Sequence, residues 1–189
     1  LIFTAGHSTL SQDEFRALIG DAGVRVVWDV RSYPTSRREW FRRDRLELWL
    51  PALGVSYVWA PALGGRRRRP RPGTQSYQVA AAEEHGWREP GFANYQWHMT
   101  TTEFLEAADA LAKLGRRDAV AIMCSEGLWW RCHRSMIADY LVTAGAEVVH
   151  LQPRRTDHAQ ALGERLPRYA PSVLASWRLH LRPSSGPSA

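Results

Sequence analysis

Val24-Arg25-Val26-Val27-Trp28-Asp29-Val30-Arg31 is the stretch on which the reading of this chain turns. The run is short, rich in β-branched residues and preceded by Gly23, so it has the length and punctuation of a strand rather than a helix. Its apolar residues follow one another instead of alternating with polar ones, which suits a central strand buried on both faces. Asp29 and Arg31 then fall at its C-terminal edge, where open α/β sheets place ligands.

Strand-like and helix-like stretches alternate outward from this segment. Residues 1–4, 55–60, 119–123 and 147–151 read as further strands. Residues 11–22 read as a helix, with Ser11 as N-cap, Glu14 completing a capping box, and Phe15, Leu18 and Ile19 on one face. Residues 44–53, 102–114 and 132–143 read as helices too, the second capped by Thr102. The expected fold class is α/β: a single domain with a mostly parallel sheet of about five strands flanked by helices, in Rossmann-like or flavodoxin-like layering. Residues 1–152 are assigned to this domain, with a basic and aromatic insertion at about 66–98 read as an irregular excursion. Residues 153–189 read as an Arg/Pro/Ser-rich extension whose end is expected to be disordered.

A length of 189 residues suits one domain, and 44% hydrophobic with 23% charged residues lies in the globular range. The net charge of +6 points to an anionic partner. All but one of the 25 basic residues are Arg, whose planar fork suits phosphate, although a GC-rich coding sequence produces the same bias. No run approaches the roughly eighteen apolar residues of a membrane span, and the start shows no leader pattern. The two cysteines share one loop, which excludes a disulfide framework and suits a reducing compartment; a cytoplasmic protein without membrane contact is expected.

That loop, Met123-Cys124-Ser125-Glu126-Gly127-Leu128-Trp129-Trp130-Arg131-Cys132-His133-Arg134, packs two thiols, a carboxylate, an imidazole and two guanidiniums between a strand and a helix. A helix N-terminus there would lower the pKa of Cys132 and receive an anion. A phosphatase or rhodanese loop is disfavoured, because the spacing from Cys124 to Arg131 is too long and Glu126 would repel the anion. Zinc on Cys124, Cys132, His133 and His7 is considered and set aside, because neighbours on a helix point about 100° apart. No cofactor is therefore expected. An acid/base site of Glu126 and Asp29 among arginines remains the favoured reading.

Gly6-His7-Ser8, Asp29-Val30-Arg31 with Pro34, Ser36 and Arg37, Pro61-Ala62-Leu63-Gly64-Gly65, Gly91-Phe92 with Tyr95 and Met99, and Cys124-Ser125-Glu126 with Cys132-His133-Arg134 together resemble the bacterial and archaeal domain-of-unknown-function family 488. The resemblance runs in order from residue 1 to about 151 and implies a compact α/β fold with its polar motifs on one side of the sheet. It implies no reaction. The arginine run at 66–71, the pair Trp129-Trp130 and the Arg/Pro-rich tail depart from the commoner pattern.

The resulting expectation is an enzyme acting on a phosphate-bearing substrate, nucleic acid or nucleotide, by base removal or modification. Glu126 and Asp29 would be the acid/base pair, His7 an orienting or proton-shuttling group, and Cys132 a further catalytic candidate. Ser8, Arg31, Arg37, Tyr95, Cys124, Arg131, His133 and Arg134 would bind substrate. Arg66, Arg67, Arg68, Arg69 and Arg71 would contact nucleic-acid phosphates. The alternatives are a non-catalytic nucleic-acid-binding module and a cysteine-dependent thiol enzyme.

Overall fold

Among the described residues six strands form one sheet in the order β3-β2-β4-β1-β5-β6: β1 (Ile2–Gly6), β2 (Val26–Asp29), β3 (Ser56–Trp59), β4 (Val120–Cys124), β5 (Val148–His150) and β6 (Thr156–Asp157). The first five in that order run parallel, and the two-residue β6 returns antiparallel to β5. The computed structural model describes residues 1–73 and 75–182, without the side chains of 75–77 and 79. The tail beyond residue 182, expected to be disordered, lies outside the described residues.

The period-2 alternation of side chains divides the core into two layers. Ile2, Val120, Ile122 and Val148 face one side, packed by α4 (Pro90–His98), α5 (Thr102–Gly115), α6 (Arg134–Thr143) and α8 (Pro171–His180) through Tyr95, Phe104, Ile137, Tyr140 and Trp177. Phe3, Ala5, Val27, Ala121 and Met123 face the other, covered by α1 (Gln12–Asp21) and α2 (Arg43–Ala52) through Phe15, Ile19, Leu46 and Leu50. The α/β layering matches the expectation from the sequence.

Local signals fixed α1. Ser11 Oγ accepts the Glu14 N–H at 3.2 Å, while the Glu14 carboxylate accepts the Ser11 N–H at 2.6 Å. Two other helices depart from the sequence reading. Thr101, not Thr102, caps α5, its Oγ1 accepting the Phe104 N–H at 3.3 Å. The helix expected from Cys132 begins at Arg134, because Trp129–Arg131 wind into a 3-10 turn first.

The stretch read as irregular holds α3 (Gln75–Ala82) and α4. Pro90 starts α4, and buried Tyr95 with Met99 anchors it from one spot rather than along a stripe. Beyond Pro153 the chain adds β6, α7 (Ala159–Arg165) and α8, and the fully buried Trp177 and Tyr169 belong to the same core as the sheet. This segment is tied down by Asp139 of α6, fully buried, whose carboxylate takes His158 Nε2 and Arg165 Nε at 2.7 Å and Tyr169 Oη at 2.6 Å.

The topology opens a crevice. β4 lies between β1 and β2, yet the chain leaves β4 toward the α6 side and leaves β1 and β2 toward the α1/α2 side. The loops after these three neighbouring strands diverge, as at the switch points of open α/β sheets. No helix of the described chain is long and apolar enough to cross a membrane.

Candidate active site

A crevice of about 610 Å³ lies over these strand ends, lined by Arg31, Tyr33, Arg66, Cys124, Glu126 and Arg131, together with Ser125, Cys132, His133, Phe92 and neighbouring backbone. Its walls come from the loops after β2, β3 and β4, with α4 closing one side. The β1 loop underlies it: the His7 N–H donates to Cys124 O and the Ser8 N–H to Ser125 O, both at 2.9 Å. Gly6 permits this contact. A Cβ at that position would collide with the Glu126 carbonyl, so only glycine lets β1 pass beneath the cysteine loop.

The loop after β2 is held by a buried ion pair. Arg31 Nε donates to Asp29 Oδ1 at 2.8 Å and Nη2 to Asp29 Oδ2 at 2.5 Å, while Nη1 donates to Phe41 O at 2.8 Å. Tyr57 Oη adds a hydrogen bond to Asp29 Oδ2 at 2.7 Å. Asp29, expected as half of an acid/base pair, is fully buried with both oxygens engaged by Arg31 and Tyr57, and it does not line the crevice. Arg31 in turn offers the crevice floor a fixed positive charge, its donors being largely spent on protein acceptors.

His7 is also buried, stacked on Phe41 with centroids 4.3 Å apart, and its Nε2 lies 3.4 Å from Arg31 Nη1. Burial first, then the Arg31 charge, lowers its pKa to about 4, so the ring is neutral at pH 7. It braces Arg31 and does not line the crevice.

Four of the expected groups do meet. Cys132 Sγ lies 3.5 Å and Cys124 Sγ 4.0 Å from His133 Nδ1, and Glu126 lines the same cavity with Oε1 accepting the Leu128 N–H at 3.0 Å. His133 Nε2 is 2.9 Å from Val30 O. A carbonyl only accepts, so in the neutral ring Nε2 carries the proton and Nδ1 turns its lone pair to the sulfurs. Tyr95 packs its edge on this ring at 5.3 Å, and Gly65 lies against its face, where a Cβ would strike the imidazole.

Burial alone would raise the Cys132 thiol. The hydrogen bond from Cys124, the Arg134 charge and the Arg134 donors outweigh it and bring the pKa down to about 6. Cys124 moves the opposite way, up to about 12, through its hydrogen bond to Cys132, burial and the charge on its neighbour. The two neighbouring thiols are thus pushed in opposite directions.

Several expected substrate contacts lie elsewhere. Arg134 is buried, donating Nε to Cys132 Sγ at 3.4 Å and Nη2 to the Glu126 carbonyl, so it clamps the loop from behind. Tyr95 is buried with its hydroxyl on Leu63 O at 2.7 Å. Ser8 is exposed, in a left-handed conformation with φ +38°, and does not line the crevice. Arg37 is exposed outside the cavity.

The arginine run does not act as one unit. Arg66 lines the crevice with its guanidinium 5.9 Å above the Tyr33 ring, whereas Arg67 turns inward, donating Nη2 to Pro61 O at 2.6 Å and Nε to Gly64 O at 2.9 Å. Arg68, Arg69 and Arg71 are exposed away from the cavity. The sequence reading quoted Gly65 and Phe92 within motifs but missed Tyr57 and Phe41. Only Tyr57 left a local signal, being two residues from Trp59 on the same strand face as its partners.

Fold and crevice together define an α/β protein with a thiol, imidazole and carboxylate site at its strand ends. Residues 11–141 match the model of "Domain of unknown function DUF488", and the chain belongs to that family. No curated protein and no solved structure matches the chain.

Proposed function

We propose that this chain is an enzyme that takes a phosphate-bearing substrate, a nucleotide or a nucleic-acid segment, into the crevice over β1, β2 and β4. Arg131 and Arg66, both exposed at the cavity wall, hold phosphate; the Arg31 charge lies at the floor; Glu126 supplies acid/base chemistry. One observation carries this reading. The crevice shares Gly91, Phe92 and Arg131 with an adjoining hollow of about 660 Å³ that also presents Trp129 and Trp130, so cationic and flat aromatic surfaces succeed one another along one groove. Such an arrangement accommodates phosphate and base side by side.

Arginine richness by itself would equally serve a non-catalytic binding module, with the exposed Arg68 as its contact. The two readings divide at Glu126. Fluorescence anisotropy with labelled single-stranded DNA and RNA at low salt, together with chromatographic detection of released base or altered nucleotide, separates them. The enzyme reading expects E126Q to bind as the wild type does and to lose turnover by roughly 100-fold or more. If neither oligonucleotides nor mononucleotides bind the wild type at low salt, the reading falls.

A further inference from the structure

Cys124, Cys132 and His133 are the one group of three potential metal ligands found among the described residues, with their ligating atoms all within 4.8 Å of one another. On a helix, the adjacent Cys132 and His133 would diverge by about 100° and not share an ion. Both residues instead precede the helix, with Cys132 leaving the 3-10 turn in extended conformation.

The separations match a tetrahedral ion. Zinc bonds of about 2.3 Å to sulfur and about 2.0 Å to nitrogen place sulfur and nitrogen ligands roughly 3.5 Å apart around a tetrahedron. The two sulfurs lie 3.5 and 4.0 Å from His133 Nδ1, at or within a few tenths of an ångström of that spacing, and all three ligating atoms fall within 4.8 Å of one another. The imidazole is prepared as metal-bound histidines are: its remote nitrogen is fixed on the Val30 carbonyl, which leaves Nδ1 as donor. Arg134 Nε on Cys132 Sγ is the outer hydrogen bond such a thiolate commonly receives.

We propose that Cys124 Sγ, Cys132 Sγ and His133 Nδ1 bind one divalent metal ion of the zinc class, with its remaining coordination position supplied from the crevice. Two thiolates and one imidazole select zinc or cobalt(II) over magnesium or calcium, which require oxygen ligands. Binding forms two metal–sulfur bonds and one metal–nitrogen bond, and each proton that either thiol carries is released to solvent. Three protein ligands with one open position is the pattern of catalytic rather than structural zinc. His7 is not part of the set: it lies buried against Phe41 and Arg31. The site stands independently of the substrate reading; only a role for Glu126 toward a metal-bound water rests on it.

The test uses the full chain, reduced and stripped of metal, titrated with cobalt(II) and zinc(II). One equivalent of cobalt should give tetrahedral d–d bands and thiolate-to-cobalt charge transfer, and one equivalent of zinc should displace it and protect both thiols from alkylation. C124S, C132S and H133A should each weaken uptake more than about 100-fold, beyond the 10–100-fold typical of losing an outer-shell partner. E126Q should still take up one equivalent. G65A, which crowds the His133 ring without removing a ligand, should weaken uptake while keeping the charge-transfer band. Absence of that band in the wild type, or thiols alkylated at one rate with and without zinc, overturns the proposal. Oligonucleotide binding measured alongside reports on the substrate reading separately, since R131A alters that binding and leaves metal uptake unchanged.

Discussion

Two clusters of ionisable groups flank α6 and are built on opposite plans. At its middle, Asp139 takes His158, Arg165 and Tyr169 on its two oxygens, Arg165 Nη2 also reaches Ser135 Oγ at 2.7 Å, and His158 Nδ1 meets His150 Nε2 at 2.8 Å. All of these groups are buried, and the network closes on itself. At the N-terminal end of α6, Cys132, His133 and Glu126 are held as firmly from behind, by Arg134, Val30 O and Leu128 N, yet they line an open cavity. A saturated network serves stability and the docking of the C-terminal segment. Groups fixed on one side and open on the other are available for chemistry.

Acid is the largest expected perturbation, and it reaches the closed cluster through His150. Burial is the first cause that lowers His150 to about 2 and both His7 and His98 to about 4. In the unfolded chain each titrates near 6.5, so between 6.5 and the folded value the unfolded state binds protons that the native state refuses, and stability falls as pH drops. Each contributes on the order of 2 kcal/mol between about pH 6.5 and pH 5, comparable together with the stability of a small domain. Urea denaturation at pH 7.5 and 5 measures it; equal midpoints would contradict the burial of these rings.

Opening the closed cluster comes next. D139A leaves Arg165 buried without its partner and should cost about 3–5 kcal/mol, read from the thermal midpoint. D29N keeps shape and some hydrogen bonding beneath the crevice and should cost about 1–3 kcal/mol, while weakening anion binding as Arg31 loses its setting. R131A at the cavity wall should leave the midpoint unchanged and lower oligonucleotide affinity by roughly 10-fold, the loss of one charge-assisted contact. E126Q should move stability by less than about 0.5 kcal/mol, and if it proved as destabilising as D139A the contrast between the clusters would be lost.

Legibility followed the range of the interactions involved. The Ser11/Glu14 capping box was read correctly because its partners are three residues apart. The strand Val26–Asp29 and the exit from α1 at Gly23, φ +66°, were legible for the same reason. The start of α6 was not: Trp129–Arg131 wind into a separate turn in which Trp129 stacks on His150 at 4.0 Å, a contact made across the fold. That displacement of two residues turned Cys132 and His133 from a divergent pair into neighbours around one point.

The sequence by itself determined the alternation of strands and helices, and with it that the polar turns at His7, Asp29 and Glu126 leave parallel strands at one rim, because strand direction is fixed by the chain. Only the tertiary structure decided which of those groups face the crevice. Asp29 turns both oxygens to Arg31 and Tyr57 because a buried charge must find a partner, and His7 stacks on Phe41 below the crevice without lining it. Cys132, His133 and Glu126 remain presented because β4 lies between strands whose chains leave the other way.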